Sequence, residues 1–231
     1  LVAVTPSQWL AERARSGLWA HHSVTVIPNG LSLSTYKPVG RELARRALEI
    51  HTTAPVLLVV AQNLADRRKG GDLLTAALQR VSHRPFTLVT LGNERLAIDT
   101  PGVAVQSLGY IDHERTKVLA YCAADLLVHP APVDNLPNVV MESIACGTPV
   151  VAFPIGGVPD MVRPGQTGWL AQEVSAMSLA EALDRALADL TSGTDLRATC
   201  RSEAEAEYSM QRQAQQYLTL FDSLSSANEG V

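Results

Sequence analysis

Apolar positions along the chain fall into short strand-like runs that alternate with stretches of helical period. Val2–Thr5 reads as a strand and Ser7–Leu18 as a helix whose cap is Ser7. Ser23–Pro28 is a strand entering the turn Asn29-Gly30, and a basic helix follows over Arg41–Leu48. A regular series then begins with strand Val56–Ala61, helix Asp72–Val81 and strand Phe86–Leu91. Strand Val103–Leu108, helix His113–Ala123, strand Leu126–His129, helix Pro137–Cys146 and strand Val150–Phe153 continue it. A short strand at Trp169–Ala171 and helices over Leu179–Leu190, Asp195–Tyr208 and Met210–Leu224 complete the pattern, with Ser225–Val231 expected to fray. Strands that are continuous Val/Leu runs, each followed by a helix, predict an α/β fold with a doubly wound, Rossmann-like parallel sheet covered on both faces.

A doubly wound sheet takes its ligand beyond the C-terminal strand ends, where strand order reverses. The loops to inspect are therefore Gln62–Gly71, Gly92–Glu94, Gly109–Asp112, Pro130–Asn138 and Pro154–Asp160. Composition narrows what they could serve. Of the 231 residues, 46% are hydrophobic and 18% charged, an ordinary globular balance that excludes a disordered chain. A net charge of −4 argues against general nucleic-acid affinity. The apolar runs are too short and broken to span a bilayer. Cys122, Cys146 and Cys200, scattered and odd in number, make neither a disulfide framework nor a zinc site and suit a reducing compartment. The first residue is Leu1, already inside a strand pattern with no signal peptide before it, so the chain reads as a piece of something longer.

Three loops carry candidate chemistry. Arg67, Arg68 and Lys69 stand after a strand, beside Gly70 and Gly71 and ahead of a helix start, a combination suited to phosphate oxygens and equally to a solvated basic loop. Asp134 opens a loop leading to the helix at Pro137, and Glu142 lies one turn after Asn138 on an otherwise apolar helix. A carboxylate there needs a partner, either a structural cation or the hydroxyls of a sugar. Gly156-Gly157 follow a buried strand, another place where backbone amides meet an anion. There is no G-x-G-x-x-G and no G-x-x-x-x-G-K-[ST], which weakens dinucleotide-oxidoreductase and P-loop readings. His129 has no second ligand near it in sequence and reads as a packed residue, and Ser143 lacks a nucleophile elbow.

Several motifs stand in a fixed order: Val26-Ile-Pro-Asn-Gly30, Tyr36-Lys-Pro38, Arg68-Lys-Gly70, Leu108-Gly-Tyr110, Asp134-x7-Glu142 with Ala145-Cys-Gly-Thr-Pro-Val-Val151, Gly156-Gly-Val-Pro159 and Gly165-x-Thr-Gly168. In this order the chain resembles the C-terminal half of retaining GT-B glycosyltransferases of group 1, the glycogen-synthase-like and mannosyltransferase-like family. The resemblance runs from Thr5-Pro-Ser7 to the Tyr208–Gln213 helix. It implies a donor-binding Rossmann-like domain over residues 24–206, a preceding linker and helix over 1–23 from an N-terminal acceptor domain outside this sequence, and a C-terminal helix and tail over 207–231. It also implies transfer of a hexose from a nucleotide-sugar donor to a saccharide or lipid-linked acceptor, as in polysaccharide biosynthesis, with this chain inactive alone.

By the same resemblance Lys69 meets the donor diphosphate, Gly109-Tyr110 the base, Glu142 the ribose hydroxyls, and the amides at Leu136 and Asn138 the phosphate or sugar. Asp134 takes the first position of the family's paired carboxylates, so Asp134 and Glu142 form the candidate catalytic pair. Two departures stand out: that first position is usually glutamate, and the usual Gly-Arg after the first strand is here Gln62-Asn63, so Arg68 becomes the candidate second cation. No cofactor and no metal is expected, since the nucleotide sugar is a substrate and the sequence has no Asp-x-Asp. The partners implied are donor and acceptor, not nucleic acid; the place implied is the cytoplasm, with contact to the inner membrane face through the absent domain left open. Two other readings share the architecture: a nucleotide-sugar-binding module without activity, and a sugar-nucleotide epimerase.

Overall fold

A computed structural model describes residues 1–93, 96 and 98–228. Six strands form one sheet: β3 (Val56–Val60), β4 (Phe86–Leu91), β5 (Val103–Ser107), β6 (Leu126–His129), β7 (Val150–Ala152) and β8 (Gly168–Leu170). Their order is β5-β4-β3-β6-β7-β8 and every pairing is parallel. All of β4, β6 and β7 is buried, as is β3 as far as Val59, which explains why they read as unbroken apolar runs. Strand order reverses between β3 and β6, so the crevice of a doubly wound fold opens where Val60 and His129 end.

Helices cover both faces. On one, α3 (Gly71–Leu78) packs with α7 (Ala176–Thr191); on the other, α2 (Arg41–Ala47), α4 (Glu114–Ala123), α5 (Asn138–Ala145) and α8 (Arg197–Glu207) pack in succession. A four-residue helix, α6 (Val158–Met161), links β7 to β8. Under the sheet, at the start of β6, buried Asp125 accepts from the Val56 amide at 2.8 Å and from Arg41 Nη1 and Arg45 Nη2 at 2.7 Å each. That carboxylate ties α2 to the two central strands.

One sequence expectation changes, and one strand finds a partner that the sequence did not name. The strand at the domain's predicted N-terminal edge, β2 (Ser23–Val26), does not join the large sheet; it pairs in parallel with β1 (Val2–Thr5), across α1 (Gln8–Arg15), as a separate two-stranded sheet. Periodicity identifies a strand but not its neighbour, and here the neighbour is the strand one helix earlier. The C-terminal helix α9 (Met210–Asn228) runs on through Ser225 and Ser226, whose hydroxyls bond the Phe221 and Asp222 carbonyls of the preceding turn. The helix thus runs through the expected tail as far as Asn228, and 229–231 lie outside the described residues. Gly30 fastens the N-terminal segment to α9: a Cβ there would stand 2.8 Å from Met210 Cα, and the Leu31 amide donates to the Tyr208 carbonyl at 2.7 Å.

Candidate functional site

The reversal point holds a cavity of about 470 Å³, lined among others by Asn29, Gln62, Lys69, His129, Asp134 and Asn138. Lys69 reaches it through a 3-10 turn, Arg67–Lys69, that sequence periodicity does not reveal. Asp66 caps this turn by accepting the Arg68 amide at 3.0 Å. Gly70 then bends the chain back with φ at +73°, and a Cβ there would sit 1.9 Å from the Pro130 carbonyl oxygen. Only glycine permits both the left-handed angle and that approach, which holds Lys69 beside the loop after β6.

Asp134 belongs to that loop. Its Oδ1 accepts the Asn135 amide at 2.8 Å, and its Oδ2 stands 4.0 Å from Lys69 Nζ and 3.9 Å from His129 Nε2. The loop is braced from behind. Gly156, at φ +51°, lies so close that a Cβ would be 1.9 Å from the Asp134 carbonyl oxygen. Ser7, which caps α1 through the Leu10 amide, also donates to Asn135 Oδ1 at 2.7 Å. The first helix of the chain therefore helps set this site.

Leu136 and Asn138 both line the cavity, and their amides have no intramolecular partner among the described residues. Pro137 caps α5 rather than starting it, which costs nothing because proline has no amide to leave unpaired. The start of α5, with its positive dipole end, thus lies at the cavity, and the Leu136 and Asn138 N–H groups there have no partner among the described residues.

The other candidates fall elsewhere. Arg68 does not reach the cavity: its guanidinium forks onto Asp66, Nη2 to Oδ2 at 2.8 Å and Nε to Oδ2 at 3.2 Å, and is mostly exposed. In this arrangement the second cation expected beside Lys69 is paired with a carboxylate two residues back. Glu142 lies apart from the cavity, its Oε2 accepting from the buried Tyr121 hydroxyl at 2.7 Å, with Tyr36 close by. Burial raises its pKa, opposed by Tyr121 and by the charge of Lys117. Among the described residues its partner is a tyrosine and not the structural cation that the sequence left open. Gly109, with φ +70° and open space at its Cβ position, and exposed Tyr110 sit beyond β5 on the same C-terminal rim, but outside this cavity. Of the loops after strands, Gly92 is glycine because a Cβ would meet the Ala61 carbonyl at 1.9 Å, while Glu94 lies outside the described residues.

Sequence reading gave His129 no role at the site. It is packed, 5% exposed, yet its Nε2 has no hydrogen-bond partner and faces Asp134. Burial foremost, with Lys69 adding and Asp134 opposing, pushes its pKa down to about 4, so the ring is neutral. The one available signal was its place at the end of a strand. Asn29 and Gln62, which the sequence offered as a turn residue and as a departure from the family's pattern, also line this cavity.

Residues 54–189 match the model of the family described as glycosyl transferases group 1. A D-inositol 3-phosphate glycosyltransferase of Actinosynnema mirum is 34% identical over 190 residues, 74% of this chain and 45% of that protein. Sucrose-phosphate synthase from Thermosynechococcus elongatus superposes with a TM-score of 0.82 at 28% identity, over 98% of this chain and 59% of that one. Anabaena HepE, in complex with UDP and glucose, gives 0.76 at 20% identity over 96% and 63%, which speaks to the fold alone. The chain spans about half the length of the curated relatives it matches. Its sheet order, its match across more than half its length and its identity to a curated transferase together make it a member of the group 1 glycosyl transferases.

Proposed function

We propose that this chain is the donor-binding part of a retaining hexosyltransferase that moves a sugar from a nucleotide-sugar donor to a saccharide or lipid-linked acceptor. The observation that carries the reading is the cavity at the β3/β6 reversal, where Lys69, Asp134 and the free amides of Leu136 and Asn138 converge. Breaking an anomeric bond to a nucleoside diphosphate leaves negative charge on the phosphate and positive charge on the sugar. Lys69 and the start of α5 face the first, and Asp134 faces the second. Groups fixed in place before the reaction stabilise such charges without reorganising.

Glu142 accepts from the ribose hydroxyls, and the Gly109-Tyr110 segment meets the base farther along the rim. The domain organisation read from the sequence belongs to this proposal, with residues 1–23 and the α9 helix adjoining a second, acceptor-holding half. That HepE, a neighbour in fold, was solved with UDP and glucose is in keeping with a sugar nucleotide as donor, and its base is read from the titration below. No described helix is long and apolar enough to cross a membrane; action in the cytoplasm, on polysaccharide or lipid-linked acceptors, is part of the same reading. Calorimetric titration of the chain with UDP, GDP, UDP-glucose and GDP-mannose tests it. Saturable binding of at least one sugar nucleotide is expected, and binding of none would refute the donor-site reading.

A further inference from the structure

The environment of His129 is unusual for a packed residue. A buried polar nitrogen ordinarily has a partner, because leaving it without one forfeits its interaction with water. His129 Nε2 has none, and it points at Asp134 Oδ2 across 3.9 Å, beyond hydrogen-bond reach. A neutral imidazole carries one N–H and one bare lone pair. A bare Nε2 would set its lone pair against those of a carboxylate, so the tautomer that suits this site has the proton on Nε2. Asp134 Oδ2 is thus flanked by two donors, His129 Nε2 at 3.9 Å and Lys69 Nζ at 4.0 Å, and is bonded closely to neither. Its other oxygen is already committed to the Asn135 amide.

We propose that His129 is a positioning residue for Asp134: its Nε2–H takes up the carboxylate when a diphosphate draws Lys69 away. The inference rests on the donor-site reading above. In the free chain Lys69 is the cation nearest Asp134, at the slack distance of an ion pair. A diphosphate in the cavity offers that ammonium more negative charge than one carboxylate does, and leaves Asp134 without its cation. A half-buried carboxylate in that state either swings out or takes a proton. Closing the gap to Nε2 by about an ångström gives an N–H···O bond of ordinary length and prevents both. Neutrality is what makes the histidine suitable, since an imidazolium would cancel the charge that Asp134 sets against the sugar's developing positive charge, whereas a neutral N–H orients it and leaves the charge in place.

The test uses imidazole 1H–15N NMR on the 231-residue chain, with the His129 signal assigned from its loss in His129→Gln, alongside calorimetry with UDP, GDP, UDP-glucose and GDP-mannose. At neutral pH the free chain should show the neutral Nε2–H tautomer at His129, and saturation with the diphosphate that binds should move that proton downfield. His129→Leu should weaken the diphosphate and its sugar nucleotide alike, by about five- to tenfold, the loss of roughly one hydrogen bond, because either ligand draws Lys69 from Asp134. His129→Gln, which keeps a neutral donor, should restore most of that loss. A Nδ1–H tautomer, an imidazolium, an unmoved signal in a chain that binds diphosphate, or equal affinities for the Leu and Gln variants would each overturn the proposal and leave the donor site standing. Failure of every nucleotide to bind would overturn both.

Discussion

At the scale of single residues, the site turns on which charged side chains face the cavity and which are already engaged. Lys69 faces it with only a slack ion pair to Asp134, whereas Arg68 beside it is committed to Asp66. Lys69→Ala should therefore weaken nucleoside-diphosphate binding by roughly 1.5–3 kcal/mol, the worth of a hydrogen bond to a charged group, and leave nucleoside binding nearly unchanged. Equal losses for both ligands in calorimetry would show the lysine to be structural. Glu142 makes a different prediction, because burial raises its pKa. A carboxyl whose folded pKa lies above its unfolded one gives its full stability below the unfolded value and loses it as pH rises through the folded value. The parent chain should thus lose stability from acid toward neutral pH relative to Glu142→Gln, which has no such proton to release. Melting temperatures across that range check the sign. Nucleotide affinity of the same variant checks the ribose role, which predicts weaker binding by an intact fold. Residue type and position offered the Arg67–Lys69 cluster, Asp134 and Glu142 as candidates, and the family resemblance singled out Lys69 and gave Asp134 and Glu142 their roles. The sequence could not show that Asp66 captures Arg68 or that His129 lacks a partner, because both depend on side-chain directions fixed only by the folded loops.

Elements carry these residues to their places, and two of them do so under tight constraint. The turn before α3 depends on Gly70. Gly70→Ala must accommodate a left-handed φ and a Cβ 1.9 Å from the Pro130 oxygen, so the turn has to shift. A destabilisation of at least about 1–3 kcal/mol is expected from the strained backbone alone, together with weaker diphosphate binding, since Lys69 moves with the turn. Chemical denaturation and calorimetry measure the two effects; a parent-like value of both would show that the turn is more compliant than its geometry implies. Asp125 is the corresponding anchor beneath the sheet. Asp125→Ala strands the buried Arg45 guanidinium and the Val56 amide, and should cost about 3–5 kcal/mol, the range for removing one partner of a buried pair. At this scale most of the fold was readable beforehand. Phe86–Leu91 and Leu126–His129 begin and end as their apolar runs do, bounded by Pro85 and Gly92 and by Asp125 and Pro130. The 3-10 turn was not readable, because three polar residues carry no periodicity, nor was the pairing of β2, because its half-buried pattern suits any neighbour.

For the whole molecule, the order β5-β4-β3-β6-β7-β8 decides where a ligand sits, and the length of the chain bears on what it can do there. Alternating strands and helices implied a doubly wound sheet from the sequence, and the reversal between β3 and β6 turns that implication into one crevice. That crevice is lined by the strand ends, the loops that follow them and Asn29. Curated relatives that match this chain are about twice as long. On the donor-site reading, Lys69 and the start of α5 hold the sugar nucleotide, and no described residue has been assigned to hold an acceptor beside it. Transfer requires both reactants in one geometry, and orientation of that kind is worth up to roughly 7–11 kcal/mol. Loss of even half of it lowers a rate by several orders of magnitude. The 231-residue chain by itself should therefore bind its sugar nucleotide, at most hydrolyse it slowly, and transfer no sugar to a broad panel of saccharide and lipid-linked acceptors. Addition of the remaining half of a full-length relative, as a separate polypeptide or fused ahead of Leu1, should raise transfer from that background. Turnover by the chain alone at the rate of an intact transferase would mean that Lys69, Asp134 and the residues around them assemble both sides of the reaction.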